Sequence, residues 1–415
     1  MRALTIERLE DRTLLSVTVT LNGDVLDIGL SAANDSATVS LNASNDIDVF
    51  DGTTHTDFAS TLVHGINAQG DDATSQSVTF ESVVTLSKSL DVSQVTNTTV
   101  NGTYTVGSAN LAADGTVTIA AGAILSSRQI AGGDPLTAPS TGDSGDLTFA
   151  APAIAVGDGA ELLANADSGF SSGDVTLTGT NSVNLNWVLG LANFATVDAS
   201  SSVTVGAATI RGDDIAITTA ADTTKTVNLT VTPSNPDLGP LQDIIENAIL
   251  PFQVNAAAST SSANSSITIG SGSQITADDN VTLTADATSS SQITTSATYL
   301  GVTFGSSEPT ANVTLAGGPS GASVTAGGDF NMQAAANNTL AVTTIVPDGG
   351  DSGNVSFAYG LARTNSTADL ESGSTVTAAN ASIGAVNTNS FSTQAIASGF
   401  NQSSSTGVGA TISIG

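Results

Sequence analysis

The sequence predicts an all-β protein built as a β-solenoid, a body of stacked strand-and-turn layers. Three observations predict it: short segments alternate apolar and polar residues, turns rich in Gly, Asp or Asn separate them, and the pattern recurs. Of the 415 residues, 40% are hydrophobic but only 4% are aromatic. Small and β-branched side chains must therefore fill the interior, which suits thin stacked layers better than a thick globular centre.

The clearest copy of the recurring pattern is residues 267–285, ITIGSGSQITADDNVTLTA. Two-residue alternation bounded by Gly, Asp and Asn predicts three short strands separated by two tight turns. Related segments are VTLAGGPSGASVTAGGDFNMQA at 313–334, DLESGSTVTAANASIGA at 369–385 and IAVGDGAELLANADSGFSSGDVTLT at 154–178. Such a recurrence indicates a repeat architecture.

The spacing between copies is loose, as expected where loops of varying length interrupt regular layers. The apolar residues taken to begin the same strand of successive copies are Val117, Leu147, Val175, Val203, Val281, Phe330 and Ile383. We expect roughly 20 to 28 residues per coil and about 11 to 15 coils. The Thr-, Ser- and Ala-rich stretches 289–304, 339–346 and 389–414 are expected to form further rungs. Positions expected to face inward are Val281, Leu283, Phe330 and Met332.

The pattern divides the chain into five parts. Residues 1–16 form a short charged motif, and residues 17–103 are predicted to be an irregular β-rich cap or a small β domain. Residues 104–236 and 254–415 are predicted to carry the solenoid rungs, and the second set ends in a strand pattern open to continuation beyond the chain end. Residues 237–253 are predicted to be a short amphipathic helical insert, because apolar residues follow i, i+3, i+4 spacing between two prolines.

The balance of charge excludes several classes of function. Thirty-eight acidic and eight basic residues give a formal net charge of −30. The chain therefore lacks the basic surface that phosphates require, and no nucleic-acid partner is expected. The same charge disfavours a polyanionic sugar and favours attraction of cations. Cysteine is absent, so no disulfide framework is expected, and no stretch reaches the ~18 apolar residues of a transmembrane segment.

A group of turn aspartates near the start of the chain suggests the hypothesis of a calcium site, because Ca²⁺ takes several oxygen ligands. The group comprises Asp24, Asp27, Asp35, Asp46, Asp48 and Asp51. Their spacing matches neither an EF-hand loop nor the Gly-Gly-x-Gly-x-Asp repeat of calcium β-rolls. We favour the interpretation that they form turns, and we keep a calcium-stabilised module as an alternative whose metal ligands are unassigned.

Catalysis is a second alternative, since parallel β-helices include polysaccharide lyases and hydrolases. Two adjacent carboxylate pairs could serve such chemistry, Asp213–Asp214 and Asp278–Asp279, but both lie in turns of the repeat. His55 and His64 lie in the irregular region without an H-E-x-x-H motif, and no Gly-x-Ser-x-Gly nucleophile elbow occurs. We therefore expect no enzyme activity, and assign no catalytic or cofactor-binding residue.

Two further features are weighed and set aside. Trp187 is the single tryptophan, and a lone tryptophan in a strand usually packs in a core or at an edge, more often than it stacks on a sugar. The tripeptide Arg211-Gly-Asp213 occurs in some ligands of cell receptors. Here it precedes a strand pattern, so a turn between rungs is the favoured interpretation.

Two stretches resemble known families. Residues 7–16, ERLEDRTLLS, resemble the short N-terminal motif written LEPR-XLL, which opens many very large bacterial surface or secreted proteins. The match departs from that pattern at Asp11, where proline is usual. The repeats of residues 104–415, exemplified by GSGSQITADDNVTLTA, resemble the rungs of filamentous-haemagglutinin-like adhesins. The start of this chain does not resemble the secretion domain of those adhesins, which leaves the export route open.

The resemblance implies a right-handed parallel β-helix and an extracellular role in adhesion or matrix. We therefore expect a non-catalytic structural or adhesive β-solenoid, extracellular or at the bacterial cell surface, that uses no cofactor. The partners expected are cell-surface or matrix glycans or proteins, together with self-association through the solenoid ends. A carbohydrate-active β-helix enzyme and a calcium-stabilised extracellular module remain the alternatives.

Overall fold

The computed structural model describes residues 17–71, 75–188, 192–230, 254–297, 300–346, 355–397 and 410–414. Within these ranges the chain forms strands almost throughout, with one 3₁₀ turn at Ser60–Leu62, and this confirms the predicted all-β class. The motif at 1–16 and the helical insert predicted at 237–253 lie outside the described residues.

The strands in chain order are β1 (Thr18–Asn22), β2 (Val25–Gly29), β3 (Ser36–Leu41), β4 (Ile47–Phe50), β5 (His55–Phe58), β6 (Gly65–Gln69), β7 (Ser77–Phe80), β8 (Val83–Thr85), β9 (Ser89–Val100), β10 (Thr103–Thr105), β11 (Ser108–Ile119), β12 (Ile124–Ser126), β13 (Leu147–Ala150), β14 (Ala153–Val156), β15 (Glu161–Leu163), β16 (Val175–Val188), β17 (Ala192–Val205), β18 (Thr209–Gly212), β19 (Ile215–Thr230), β20 (Val254–Ile269), β21 (Gln274–Ala277), β22 (Val281–Ser296), β23 (Leu300–Leu315), β24 (Ser323–Ala326), β25 (Asp329–Val346), β26 (Val355–Ala362), β27 (Asn365–Leu370), β28 (Thr375–Thr377), β29 (Asn380–Ala397) and β30 (Ala410–Ile414).

Parallel pairing arranges these strands in three series. The first series joins β2, β6, β9, β11, β13, β16, β19, β22, β25 and β29. The second joins β3, β7, β9, β11, β14, β17, β20, β23, then β26 with β27, and β30. The third joins β8, β10, β12, β15, β18, β21, β24 and β28. From β9 onward the chain passes through the first, second and third series in turn.

The N-terminal strands differ from the rest by antiparallel pairing. β1 pairs with β2 through a two-residue turn in which Gly23 has φ +68°, a conformation that glycine adopts without strain. β3, β4 and β5 form an antiparallel meander. β1 thereby covers one edge of β2, which removes a free strand edge at this end. The other strands of residues 17–103 belong to the same three series as the later repeats.

The repeats lengthen along the chain. In the third series Thr103 pairs with Ile124, 21 positions later, whereas Gln274 pairs with Ser323, 49 positions later. The expected coil of roughly 20 to 28 residues is therefore wrong for the C-terminal half. The reason is that stretches 289–304 and 339–346 are not separate rungs, because most of their residues continue the long strands β22, β23 and β25.

The register also corrects the alignment of the repeats. Val281 pairs with Phe330 as the spacing indicated, but Phe330 pairs with Ala381 and not with Ile383. In the first half, Leu147 and Val175 belong to the first series, whereas Val117 and Val203 belong to the second. The physical reason is that the same apolar–polar–apolar triplet begins the first-series strands and ends the second-series strands, so the pattern alone does not separate the two series.

The interior has two apolar clusters with polar residues between them. The larger cluster contains the inward positions that the sequence predicted, since Val281, Leu283, Phe330 and Met332 are each at most 1% exposed. Further along the long strands lies a second cluster, formed by Val227, Leu229, Ala257, Ile293, Leu340, Val342 and Ala358. Both clusters follow the two-residue alternation that a pleated strand imposes on its side chains.

Between the two clusters lies a layer of buried hydroxyls, made by Thr223, Ser261, Ser289 and Ser307. The Ser289 Oγ lies 3.0 Å from Thr223 Oγ1, 2.9 Å from Ser261 Oγ and 2.7 Å from Ser307 Oγ. A hydroxyl both donates and accepts, so side chains from facing strands satisfy one another here without water. This hydroxyl layer joins the first and second series where aliphatic packing is interrupted.

Pro309 in β23 marks a break in the second series, where β26 ends and β27 begins. In a parallel ladder the N–H and C=O of one residue point to the same neighbouring strand, and the Ser307 carbonyl accepts the Arg363 N–H at 3.0 Å. By that alternation the Pro309 nitrogen faces the Arg363 carbonyl but has no proton to donate. The buried Asn338 fills the gap, because its Nδ2 donates to the Ser307 carbonyl at 2.9 Å and the Arg363 carbonyl at 3.2 Å.

The substitution Asn338→Ala is expected to lower the free energy of unfolding by about 1–3 kcal/mol, because two carbonyls lose this donor. Pro309→Ala restores a backbone N–H opposite Arg363, so the double variant should lose less than the sum of the single variants. Urea denaturation followed by circular dichroism measures all three, with the outward Asn337→Ala as control. Additive losses would show that Asn338 and Pro309 do not share the Arg363 carbonyl.

Candidate functional site

The two adjacent carboxylate pairs that the sequence singled out, Asp213–Asp214 and Asp278–Asp279, lie at one corner of the repeats, where the third series leads into the first. One residue per repeat occupies the start of the first-series strand, and together we call them the Asx column. Its members are Asp146, Asp174, Asp214, Asn280, Asp329 and Asn380, which the strand register aligns. Two positions carry asparagine, so a negative charge is not required at every step of the column.

Each member of the Asx column from Asp146 to Asp329 accepts a hydrogen bond from the next. The Asp214 backbone N–H donates to Asp174 Oδ1 at 3.2 Å, and the Asn280 N–H donates to Asp214 Oδ1 at 2.9 Å. The Asp329 N–H donates to Asn280 Oδ1 at 2.8 Å, and the Asn380 Nδ2 donates to Asp329 Oδ1 at 2.7 Å. A short side chain with an oxygen at this reach bridges successive layers, as aspartate and asparagine do in turns.

The two carboxylate pairs proposed from the sequence belong to this corner. Asp213 lies directly below Asp279 in adjacent repeats, and the Asp279 N–H donates to the Asp213 carbonyl at 2.9 Å. Burial, followed by the charges of Asp214, Asp174, Asp278 and Asp279, raises the pKa of the exposed Asp213 carboxyl above its ordinary value. The corner therefore concentrates negative charge, and its geometry is that of stacked turns.

The corner also requires glycine where the layers come closest. A Cβ at Gly173 would collide with the Gly145 carbonyl, and one at Gly327 would collide with the Asp278 carbonyl. Close approach of backbone, and not access of a ligand, accounts for these glycines.

The six N-terminal aspartates weighed as calcium ligands hold separate positions. The Asp35 Oδ2 accepts the Ser31 N–H at 3.0 Å and the Ala32 N–H at 2.8 Å, and Asp51 closes its own turn through Thr53 and Thr54. Those hydrogen bonds, to Thr54 above all, lower the pKa of the Asp51 carboxyl. Over the described ranges, no three His, Asp or Glu side chains are placed to hold one metal ion.

The two histidines contact different carboxylates in separate places. The His55 Nδ1 lies 2.7 Å from Asp48 Oδ2, and its ring stacks on Phe50 with the centroids 4.5 Å apart. The His64 Nδ1 lies 3.2 Å from Asp24 Oδ2, and the Lys88 Nζ donates to Asp24 Oδ1 at 2.8 Å. Each histidine thus has its own carboxylate partner, and no serine hydroxyl hydrogen-bonds to either ring in the described part of the chain.

The remaining sequence candidates are placed in strands and turns. Arg211 and Gly212 end β18, Asp213 follows in the turn, and Gly212 is buried against the preceding repeat. The tripeptide therefore does not form a projecting loop. Trp187 lies in β16, where its backbone pairs with Val227, and its side chain is outside the described part of the structure.

The sequence analysis missed Lys225, a buried residue with a titratable side chain. It lies in β19 beside the hydroxyl layer, is 1% exposed, and its Nζ donates to the carbonyls of Ala195 and Thr260. Burial lowers the pKa of the ammonium to about 8, while the nearby Asp198 acts in the opposite direction. The signal was present in the sequence, since two-residue alternation from Ile215 places Lys225 on the inward face.

Comparisons with protein-family models, curated proteins and solved structures found no match to this chain. Among the described residues, no helix has the length and apolar character needed to cross a membrane. The interpretation of function therefore rests on the fold and on the contacts described above.

Two substitutions of Asp214 separate a structural role of the Asx column from a cation-binding one. Asp214→Ala should lower the free energy of unfolding by about 1 kcal/mol, because Asn280 loses its acceptor. Asp214→Asn keeps an acceptor oxygen and removes a charge beside Asp213, so its melting temperature should equal or exceed that of the unsubstituted protein. Thermal melting by circular dichroism at low and moderate salt measures both, with Asp369→Asn as control. Equal losses in both Asp214 variants would show that the charge itself is needed.

Lys225 should make stability depend on pH. Its folded-state pKa of about 8 lies below the ordinary value near 10.4, so between these values the unfolded state binds more protons and stability rises with pH. The gain should reach about 2 kcal/mol between pH 8 and 9.5 and be absent below pH 7.5. Urea denaturation across this range should show the slope in the native protein and in the exposed control Lys88→Met. A slope that persists in Lys225→Met would refute the assignment.

Proposed function

We propose that the chain forms a right-handed parallel β-solenoid that serves as the non-catalytic structural or adhesive body of an extracellular or cell-surface bacterial protein. The observation that carries the proposal is the recurrence of the three parallel series in a fixed order from β9 to β29. Insertions in such a body lengthen the strands or turns of a repeat while the stacking is kept. This architecture agrees with the resemblance to filamentous-haemagglutinin-like adhesins and to LEPR-XLL proteins.

The use of the polar groups supports a structural role. Carboxylates at the corner accept hydrogen bonds from the next repeat, and buried hydroxyls join facing strands. Hydrogen bonds of this kind give the carboxylates and hydroxyls a structural role that involves no substrate. The carbohydrate-active alternative therefore has support only from the acidic corner, and the calcium-stabilised alternative has the same single support.

Labelling of intact bacteria tests the proposed location. An antibody against this chain should label intact cells of the native bacterium or detect the chain in the medium, and external protease should remove the cell-bound signal. Cells disrupted before labelling serve as the control for total protein. A signal found only after disruption would overturn the extracellular assignment.

An activity test addresses the enzyme alternative. The purified chain, incubated with a panel of neutral and acidic polysaccharides, should release no new reducing ends and no unsaturated products. Product release that disappears in Asp213→Asn or Asp279→Asn would replace the proposed function with a carbohydrate-active enzyme.

A further inference from the structure

An apolar patch covers part of the outward face of the second series. Its residues are Phe194 in β17, Ala258 in β20, Phe304 in β23, and Phe357 and Tyr359 in β26, and we call this set the aromatic patch. Phe194 is 77% exposed and Phe304 is 43% exposed. The patch lies on a sheet face, so its exposure does not depend on an unpaired strand edge.

The rings of the aromatic patch are arranged by the strand register. Phe194, Ala258, Phe304 and Tyr359 occupy one column across four neighbouring strands. The Phe304 ring centroid lies 5.6 Å from that of Phe357 and 6.1 Å from that of Tyr359, with the ring planes tilted by 52° and 53°. The small Ala258 leaves a gap between Phe194 and Phe304, whose backbones are about 10 Å apart at two strand spacings.

A polar groove continues the patch along the same strands. It opens at the break between β26 and β27 and is lined by Glu308, Thr310, Arg363, Asn365 and Asn389. The Arg363 Nη1 lies 3.7 Å from Glu308 Oε1. The row of Glu308 is four positions beyond the row of Phe304, which is about 13 Å along an extended strand. Aromatic rings and hydrogen-bonding side chains therefore lie within the reach of one short extended ligand.

The opposite broad face shows that this composition is local. On the first-series strands β19 and β22 the outward positions are mostly polar, among them Thr224, Thr226 and Asn228 in β19 and Gln292 and Thr294 in β22, and none is aromatic. An aromatic surface on one face alone is the kind of exposed apolar area that marks a binding site.

Charge restricts what can occupy the patch. The chain has a net charge of −30, which opposes a second copy of the same chain and a polyanionic ligand. The aromatic patch carries no charge, and the one cation and one anion of the groove face each other as Arg363 and Glu308. An uncharged partner is therefore favoured, with apolar faces for the rings and hydroxyls for the groove.

We propose that the aromatic patch and the polar groove bind a short segment of a neutral, linear polysaccharide that crosses the strands obliquely, from the column of rings towards the groove. The C–H faces of pyranose rings pack on Phe304, Phe194 and Tyr359, because these side chains offer large apolar surfaces of low conformational freedom. The sugar hydroxyls hydrogen-bond to Arg363 and Glu308. This inference rests on the proposed adhesive function and gives it a ligand class and a surface.

Affinity electrophoresis in native gels tests the inference on the purified full chain. The gels contain hydroxyethyl cellulose, xyloglucan, galactomannan or dextran as neutral probes and polygalacturonate as the anionic probe. At least one neutral probe should retard the chain, whereas polygalacturonate should not. The double variant F194A/F304A should weaken the retarding affinity at least tenfold, and Phe170→Ala, which removes a similarly exposed ring from a loop, should leave it unchanged.

Other outcomes overturn the inference. Failure of all neutral probes, or equal retardation of the double variant and Phe170→Ala, would show that the patch does not bind these glycans. Concentration-dependent dimers in analytical ultracentrifugation that disappear in F194A/F304A would assign the patch to a second copy of the chain. Surface labelling of intact cells distinguishes failure of this inference from failure of the proposed function. A protein that is labelled on intact cells but binds none of the glycans overturns only this inference.

Discussion

Parallel hydrogen bonding between equivalent residues is the constraint on which the rest of this structure depends. Because each strand pairs in register with the corresponding strand of the next repeat, every side chain lies over its counterpart. Residues of similar character therefore share a column: apolar residues such as Val281 and Phe330 stack in the core, and aspartate or asparagine stacks at the corner. Like charges stack as well, and they add to the effect of burial in raising the pKa of Asp213. A single geometric rule thus fixes both the packing and the electrostatics.

The same rule separates the surfaces available for recognition. Corner groups such as Asp214 are occupied by hydrogen bonds to the next layer, and the ends of the strands carry short turns. On the broad outward faces the side chains point away from the backbone ladder, and apolar rings such as Phe304 make no hydrogen bond to the next layer. Recognition by such a body is therefore expected on faces, where a column of Phe194, Phe304 and Tyr359 presents one chemistry over several repeats.

Local patterns predicted the all-β class and the inward positions Leu283 and Met332, because two-residue alternation reports directly on pleated strands. The far halves of the long strands were predicted to be separate rungs. Thr, Ser and Ala occupy both the outward and the inward positions there, so the alternation that would show a continuing strand is weak. Asn338 donates to the Arg363 carbonyl, to which Pro309 cannot donate. These residues lie on different strands, so no local sequence pattern reveals the compensation. Lys225 was overlooked although alternation places it inward, since lysine is rarely buried without partners.

The lengthening of the repeats gives the body unequal resistance to tension. Hydrogen bonds between parallel strands run along the stacking direction, so a pull along that axis loads all the bonds of one layer together. The N-terminal layer is joined by β2 and β6 over Val25–Gly29 and by β3 and β7 over Ser36–Val39, whereas β22 and β25 by themselves are joined from Val281 to Ser296. Under tension the narrow N-terminal layers are therefore expected to separate first, while the broad C-terminal layers and the aromatic face they carry stay intact.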